Sequence, residues 1–259
     1  METESNFVSI RKLAKKRLLR MHHEAGVGHI GGNLSALDVM LYLHHHVMTG
    51  SDLFVLSKGH AAGALYVTLW TLGKLDESDL QSFHGEGTKL AGHPPPGQID
   101  GIPVATGSLG HGLSVACGMA LARKLKSEPG RIFCLCSDGE WQEGSNWEAL
   151  IFARRHNLSN LVLLVDVNGL QGFGSTEEVA SMGALGNYFD VFGLRTVEID
   201  GHSYGALSKI VSEDSRDRWC YLLRTVKGKG VSFMENQLDW HYLPLDDEAY
   251  NQALSELES

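Results

Sequence analysis

Cysteine is scarce in this chain of 259 residues: Cys117, Cys134, Cys136 and Cys220 are all it has. None has C-x-x-C spacing, which removes a zinc or dithiol reading. Cys134 and Cys136 fall on one face of a strand, so reduced core thiols and a cytoplasmic location are expected. Long apolar runs are missing too. None reaches the ~20 residues that cross a bilayer, and the polar start Met1–Ser5 has no signal-peptide core, so no membrane partner is expected. Positive charge is in deficit, with 22 Lys and Arg against 31 Asp and Glu and a net charge of -9. That argues against broad nucleic-acid binding. Proline is rare, six in all, and the Gly- and Pro-rich stretch from Gly85 to Gly107, with "HPPPG", reads as a loop. There is no internal repeat, no low-complexity linker and no clear internal boundary. One domain over 1–259 is the expectation, and a hydrophobic fraction of 43% suffices for a buried core.

What is present reads as alternating helices and strands. Phe7–Ala25 carries apolar residues at helical spacing, with Arg11, Lys12, Lys15, Lys16 and Arg20 on a face expected to be solvated. Asn33 or Ser35 is the expected cap of a second helix to about Val47, with Asp38 three residues after Ser35. Asp52–Ser57 reads as a strand and Gly59 to about Leu72 as a helix. Gly110–Lys126 is a helix rich in small residues; with the Trp141–Trp147 region it is expected to offer packing surface near the site. Then come strand Arg131–Cys136, helix Glu143–His156, strand Leu161–Val165, strand Leu194–Ile199, helix Ser203–Val211 and strand Trp219–Val226. This order predicts an α/β fold, a mostly parallel sheet with helices on both faces.

Ligands of such sheets bind outside the carboxyl ends of the strands. Two oxygen-bearing side chains fall there: Asp138 in "SDG" after one strand, and Asn168 in "VNG" after the next. A carboxylate and an amide oxygen are hard donors, suited to Mg²⁺ or Ca²⁺ rather than zinc. Two of them do not complete an octahedron, and Mg²⁺ commonly finishes its shell with water and phosphate. The pair could therefore clamp a metal-bound diphosphate, with the Gly139 N–H as a further donor. Each turn alone is more often just a turn.

The stretch "SDGEWQEGSNWEA...NLVLLVDVNGLQ" resembles the thiamine diphosphate motif. "GHIGGNLSALDVM", "FVLSKGHAAGALYVTL", "AGHPPPGQIDGIPVATGSLGHGLSVACGMALA" and "KGKGVSFMENQLDWH" resemble the transketolase family, in that family's order, from about Ala14 to Leu254. The resemblance implies a thiamine-diphosphate-binding fold and the N-terminal subunit of a split transketolase, which moves a two-carbon ketol unit from a ketose to an aldose. It implies that Asp138, Asn168 and the carbonyl of Leu170 hold Mg²⁺, with Ca²⁺ able to take its place. His60, the Gly139 amide and His241 would touch the diphosphate, and Gly107 and Leu109 would line the cofactor. His29, His93 and His241 would face the reacting sugar, where imidazole can act as acid or base near neutrality. Glu143 would sit at a subunit interface. The cofactor's pyrimidine would be bound by a C-terminal partner subunit, since the chain stops near Ser259 before any such domain. A two-plus-two heterotetramer is the expected assembly, with sugars or sugar phosphates as substrates.

Departures from the family pattern are Ser137 for the first Gly of the motif, a shorter stretch between His46 and Asp52, "HPPPG" without the usual acidic residue, and Tyr242 where Gly is frequent. Tyr242 is expected to crowd the mouth of the site. A relative with specialised sugar substrates and a non-catalytic scaffold paralogue are the alternatives. Pyruvate decarboxylation, found elsewhere in the superfamily, is disfavoured by "SKGH", "AGHP" and the "KGKGVSFMEN...WH" segment.

Overall fold

The computed structural model describes residues 4–210 and 219–258, and of Trp219 the backbone alone. In chain order it has α1 (Glu4–Ala25), α2 (Ile30–Tyr42) running into a π-helical turn (Leu43–Val47), β1 (Leu53–Leu56), a 3-10 turn (Gly59–Ala61) leading into α3 (Ala62–Thr71), and α4 (Glu77–Gln81). A long loop then reaches α5 (Gly112–Lys126), β2 (Ile132–Ser137), a 3-10 turn (Gly139–Gln142), α6 (Gly144–Arg155) and β3 (Leu161–Val167). A short hairpin follows, β4 (Leu170–Gln171) and β5 (Gly174–Ser175), then α7 (Thr176–Ala180), α8 (Leu185–Val191), β6 (Arg195–Asp200) and α9 (Tyr204–Leu207). β7 (Trp219–Arg224), a 3-10 turn (Leu238–His241) and α10 (Asp247–Glu258) complete the described chain.

The main sheet has the order β1-β2-β3-β7-β6, and every pairing in it is parallel. All of its strands fall where the sequence predicts strands. Successive side chains on a strand point to opposite faces. Phe133, Leu135, Val162 and Leu164 join a core with Leu18, Leu34 and Tyr66 of α1, α2 and α3. Ile132, Cys134, Leu163 and Val165 join another with Ala116 of α5, Leu150 of α6, Trp141 and Phe189. Both faces are therefore covered, which is why β3 reads as an apolar run from Leu161 to Val165 rather than an alternating one. All four cysteines are buried free thiols. No helix among the described residues is long and apolar enough to cross a membrane.

Several expectations need correction. α2 starts at Ile30, with His29 before it in a left-handed conformation (φ 66°) and no side-chain cap. Asn33 and Ser35 lie inside the helix because they serve tertiary partners. Asn33 Nδ2 donates to the His29 carbonyl (2.8 Å) and its Oδ1 accepts from Ala64 N–H (2.7 Å), tying α2 to α3. Asp38 is buried between Lys15 of α1 and His202. Lys15 is thus a buried charge rather than part of a solvated face. α10, an element absent from the sequence reading above, packs on that side of α1 through Lys16–Glu258 (2.9 Å) and His23–Asp247 (2.8 Å). Trp141 offers no packing surface to a partner; it is fully buried against Trp147 and Phe189. Ser203 does cap α9, accepting from Ala206 N–H. That helix stops at Leu207, and Val211, the predicted end, lies outside the described residues.

Candidate active site

The carboxyl ends of β1, β2, β3 and β7 open onto a cavity of about 330 Å³. Every site residue expected from the sequence lines it. Asp138, Gly139, Asn168 and Leu170 come from the ends of β2 and β3. His60 comes from the turn after β1, His29 from the start of α2, and His93, Gly107 and Leu109 from the long loop. Glu143 directly precedes α6, and His241 closes the last 3-10 turn.

Asp138 welds the two strand-end turns together. Its Oδ1 accepts from Gly139 N–H (2.8 Å) and its Oδ2 from Gly169 N–H (2.6 Å). Asn168 Oδ1 accepts from Leu170 N–H (3.0 Å), which sets up the β4–β5 hairpin. Gly169 is needed there at φ +76°, and a Cβ on Gly139 would stand 2.5 Å from Gln171 Oε1. Burial and the nearby Asp166 carboxylate push Asp138 up to about 6, against the two N–H groups that favour its charge. A divalent cation beside this carboxylate relieves both causes. Among the described residues, no group of three His, Cys, Asp or Glu is placed to hold a metal. Asp138 and Asn168 offer instead a carboxylate and an amide oxygen. They leave coordination positions for water and phosphate, and so fit a magnesium diphosphate.

Beneath the cavity lies a polar layer that the sequence motifs do not announce. Lys58 and Asp166 form a fully buried ion pair. Asp166 also accepts from Ser35 Oγ (2.6 Å) and from Thr225 Oγ1, and Lys58 Nζ donates to the Gly32 carbonyl (3.1 Å). Burial alone raises the Asp166 carboxyl, but Lys58 and the hydroxyl donors outweigh it and hold the group ionised. Buried Glu140 accepts from Ser57, from Gly110 N–H (2.9 Å) and from Ser137 N–H (3.2 Å). It thereby fixes the loop carrying Gly107 and Leu109 to the ends of β1 and β2. An Asp inside "LVLLVDV" was the available signal, because a charge in a strand covered on both faces needs a partner.

The same cavity carries basic groups. Lys227, only 2% exposed, is lowered to about 8 by burial and by Lys58. Its Nζ lies 2.8 Å from His241 Nδ1. His241 is lowered to about 3 by burial, then by Lys227 and His29. His60 is held well below its ordinary value by burial, then by Lys58, and burial also lowers His29 and His93. The His29 ring stands perpendicular to His241 at 5.0 Å and lies 5.7 Å from His60. Its buried Nδ1 has no hydrogen-bond partner among the described residues. Neutral imidazoles crowded by ammonium groups form a surface that an anion stabilises. Gly107, at φ +135°, has no Cβ where the His93 ring approaches to 2.7 Å.

Tyr242 does stand at the mouth. Its ring meets His241 at 4.6 Å, and it fits because Gly28 and Gly172 lack side chains. A Cβ on Gly28 would lie 2.3 Å from the Tyr242 carbonyl oxygen, and one on Gly172 would lie 2.4 Å from the Tyr242 hydroxyl. Phe173, at the tip of the β4–β5 hairpin, is 86% exposed.

The family model described as "Transketolase, thiamine diphosphate binding domain" matches residues 9–257. The chain is 38% identical over 255 residues to one subunit of the apulose-4-phosphate transketolase of Phocaeicola vulgatus, covering 94% of this chain and 90% of that one. It is 36% identical over 261 residues to the 6-deoxy-6-sulfo-D-fructose transketolase subunit SqwG of a Clostridium species, covering 96% and 94%. Human transketolase is 36% identical over 245 residues, which is 91% of this chain but 39% of the human one. A crystal structure of transketolase from Campylobacter jejuni superposes with a TM-score of 0.91 at 28% identity, covering 100% of this chain and 43% of that one.

Proposed function

Because the chain belongs to the transketolase family, matching its thiamine diphosphate binding domain, we propose that it is the diphosphate-binding subunit of a two-subunit transketolase. The enzyme transfers a two-carbon ketol unit from a ketose to an aldose. The observation that carries this reading is the convergence of Asp138, Asn168 and a wall of lysine and histidine on one cavity at the carboxyl edge of a parallel sheet. The near-full coverage of relatives named as subunits supports the two-subunit form.

In this reading Asp138, Asn168 and the Leu170 carbonyl hold Mg²⁺, or Ca²⁺ in its place. His60, the Gly139 amide and His241 meet the diphosphate, with the Lys227 ammonium beside them. Gly107 and Leu109 line the cofactor. The bound thiazolium supplies the carbanion stabilisation that no side chain can. His29, His93 and His241 face the sugar hydroxyls; burial keeps the rings neutral, so that His29 and His93 each keep an unprotonated nitrogen able to accept a proton at neutral pH. Glu143, exposed on the rim of the cavity, is covered where subunits meet. Val115 on α5 and Ile151 and Phe152 on α6 expose apolar side chains for the same contact. Two copies join two copies of a C-terminal subunit that binds the pyrimidine, in the cytoplasm. Closed symmetry is the common state of soluble oligomers. Tyr242 at the mouth, together with the sugars in the relatives' names, favours a specialised ketose or aldose over the usual ones.

Reconstitution tests this. The purified chain with saturating thiamine diphosphate and Mg²⁺ is expected to show no ketol transfer. Adding the partner subunit restores transfer, and light scattering reports the mass of two plus two chains. Full activity from the chain alone, with the partner excluded by mass spectrometry, contradicts the two-subunit reading.

A further inference from the structure

Lys227 and His241 are held as a pair before anything binds. The Lys227 stem runs past Gly31, where a Cβ would stand 3.1 Å from its Cγ. The next residue, Gly228, donates its N–H to the Gly31 carbonyl (3.0 Å), and the Lys227 carbonyl accepts from Asn236 N–H (2.9 Å). The His241 carbonyl accepts from His29 N–H (3.1 Å). Both residues are thus pinned to the first turn of α2 and its cap, and their side chains meet at 2.8 Å, Nζ to Nδ1.

The chemistry of this contact is one-sided. An ammonium has three donors and no acceptor, and an imidazole nitrogen that receives one must be bare. A neutral ring with bare Nδ1 carries its hydrogen on Nε2. That nitrogen lies on the Gly172 side of the ring, 3.4 Å from where a Gly172 Cβ would stand, on the cavity that His241 lines.

We propose that Lys227 is a positioning residue that locks His241 in the Nε2–H tautomer, so that this ring faces the cavity as a hydrogen-bond donor to substrate oxygen and not as a base. The tautomer follows from the fold alone; the donor role rests on the function proposed above. Burial and Lys227 together keep the His241 ring neutral, so it is a neutral donor at neutral pH, below the value of about 8 at which Lys227 gives up its ammonium proton. Base chemistry then falls to the other histidines of the site. His29 has a buried Nδ1 without a partner among the described residues. The two rings stand perpendicular, 5.0 Å apart, and the division assigns them opposite proton roles on neighbouring oxygens.

The test has a spectroscopic arm and a kinetic arm. The full chain is labelled with ¹⁵N-histidine, and His241 is assigned by loss of its signals in His241→Gln. Long-range ¹H–¹⁵N correlation at neutral pH then reads the tautomer. The wild type is expected to show Nε2 protonated and Nδ1 bare. Lys227→Met loses that preference, and Lys227→Arg, which restores a permanent donor, keeps it. In the assembled enzyme at saturating thiamine diphosphate, Lys227→Met lowers kcat by ~10²-fold, the usual scale for a misplaced proton-transfer group, and Lys227→Arg recovers most of it. A proton on Nδ1 in the wild type, or an unchanged tautomer in Lys227→Met, overturns the lock. A changed tautomer with unchanged kcat overturns the donor role. Absence of ketol transfer by the wild-type assembly contradicts the functional reading instead, and the tautomer is still decided by the spectrum.

Discussion

His29 and His93 show how much of the site rests on single side chains. Both line the cavity, and in the proposed function neither holds the diphosphate. Their loss should affect turnover rather than cofactor binding. His29→Ala and His93→Ala in the assembled enzyme are expected to lower kcat by ~10²-fold or more and to leave thiamine diphosphate affinity little changed. Steady-state rates beside a cofactor titration check this, and near-wild-type rates remove both residues from the chemistry. Lys58 is the opposite case, a residue whose work is structural. With both side chains of Lys58 and Asp166 fully buried, Lys58→Met strands a carboxylate. Breaking a buried pair on one side costs about 3–5 kcal/mol. Denaturant unfolding should show a loss of that order, and Lys58→Met combined with Asp166→Asn should recover much of it. Equal stability of Lys58→Met and wild type sinks the assignment.

At the scale of elements, α1 and the π-helical turn after α2 share one device. His22 Nδ1–H donates to the Leu18 carbonyl (3.1 Å) and His44 Nδ1–H to the Met40 carbonyl (2.8 Å), each one helical turn back. Burial lowers both rings to about 4. In the unfolded chain they titrate near ~6.5, so between those values the unfolded state binds more protons and stability falls as pH falls. His22, 1% exposed, contributes about 3 kcal/mol that is present above ~6.5 and lost by the time pH reaches its folded value. Unfolding free energy measured from pH 7.5 to 4 should drop over that window, and less steeply in His22→Gln. An identical slope in the variant contradicts it.

The same elements show what the sequence could reveal. β1, β2, β3, β6 and β7 were legible because buried parallel strands are short apolar runs between turn signals. The eleven expected site residues, all of which line the cavity, were legible because they sit in local motifs or at strand ends. Lys58–Asp166 was not: its partners are 108 residues apart, and only the folded register of β1, β2 and β3 aligns them. Lys227 escaped notice for the same reason, since in sequence it is one Lys among "VKGKG". α10 was missed although Ala249, Tyr250, Ala253 and Leu257 carry helical spacing. The start of α2 misled because Asn33 and Ser35 have the chemistry of caps but spend it on α3 and Asp166.

For the whole molecule, a covered parallel sheet brings hard-oxygen donors and a set of basic groups to one cavity, and in the proposed function a magnesium diphosphate joins them. Metal and cofactor must then bind as one unit. Calorimetric titration of thiamine diphosphate into the assembled enzyme, with and without Mg²⁺, tests this most directly. Wild type is expected to bind tightly only when Mg²⁺ is present. Asp138→Ala and Asn168→Ala should lose that binding while circular dichroism stays native. Mg²⁺-independent affinity, or unchanged affinity in both variants, would contradict the account.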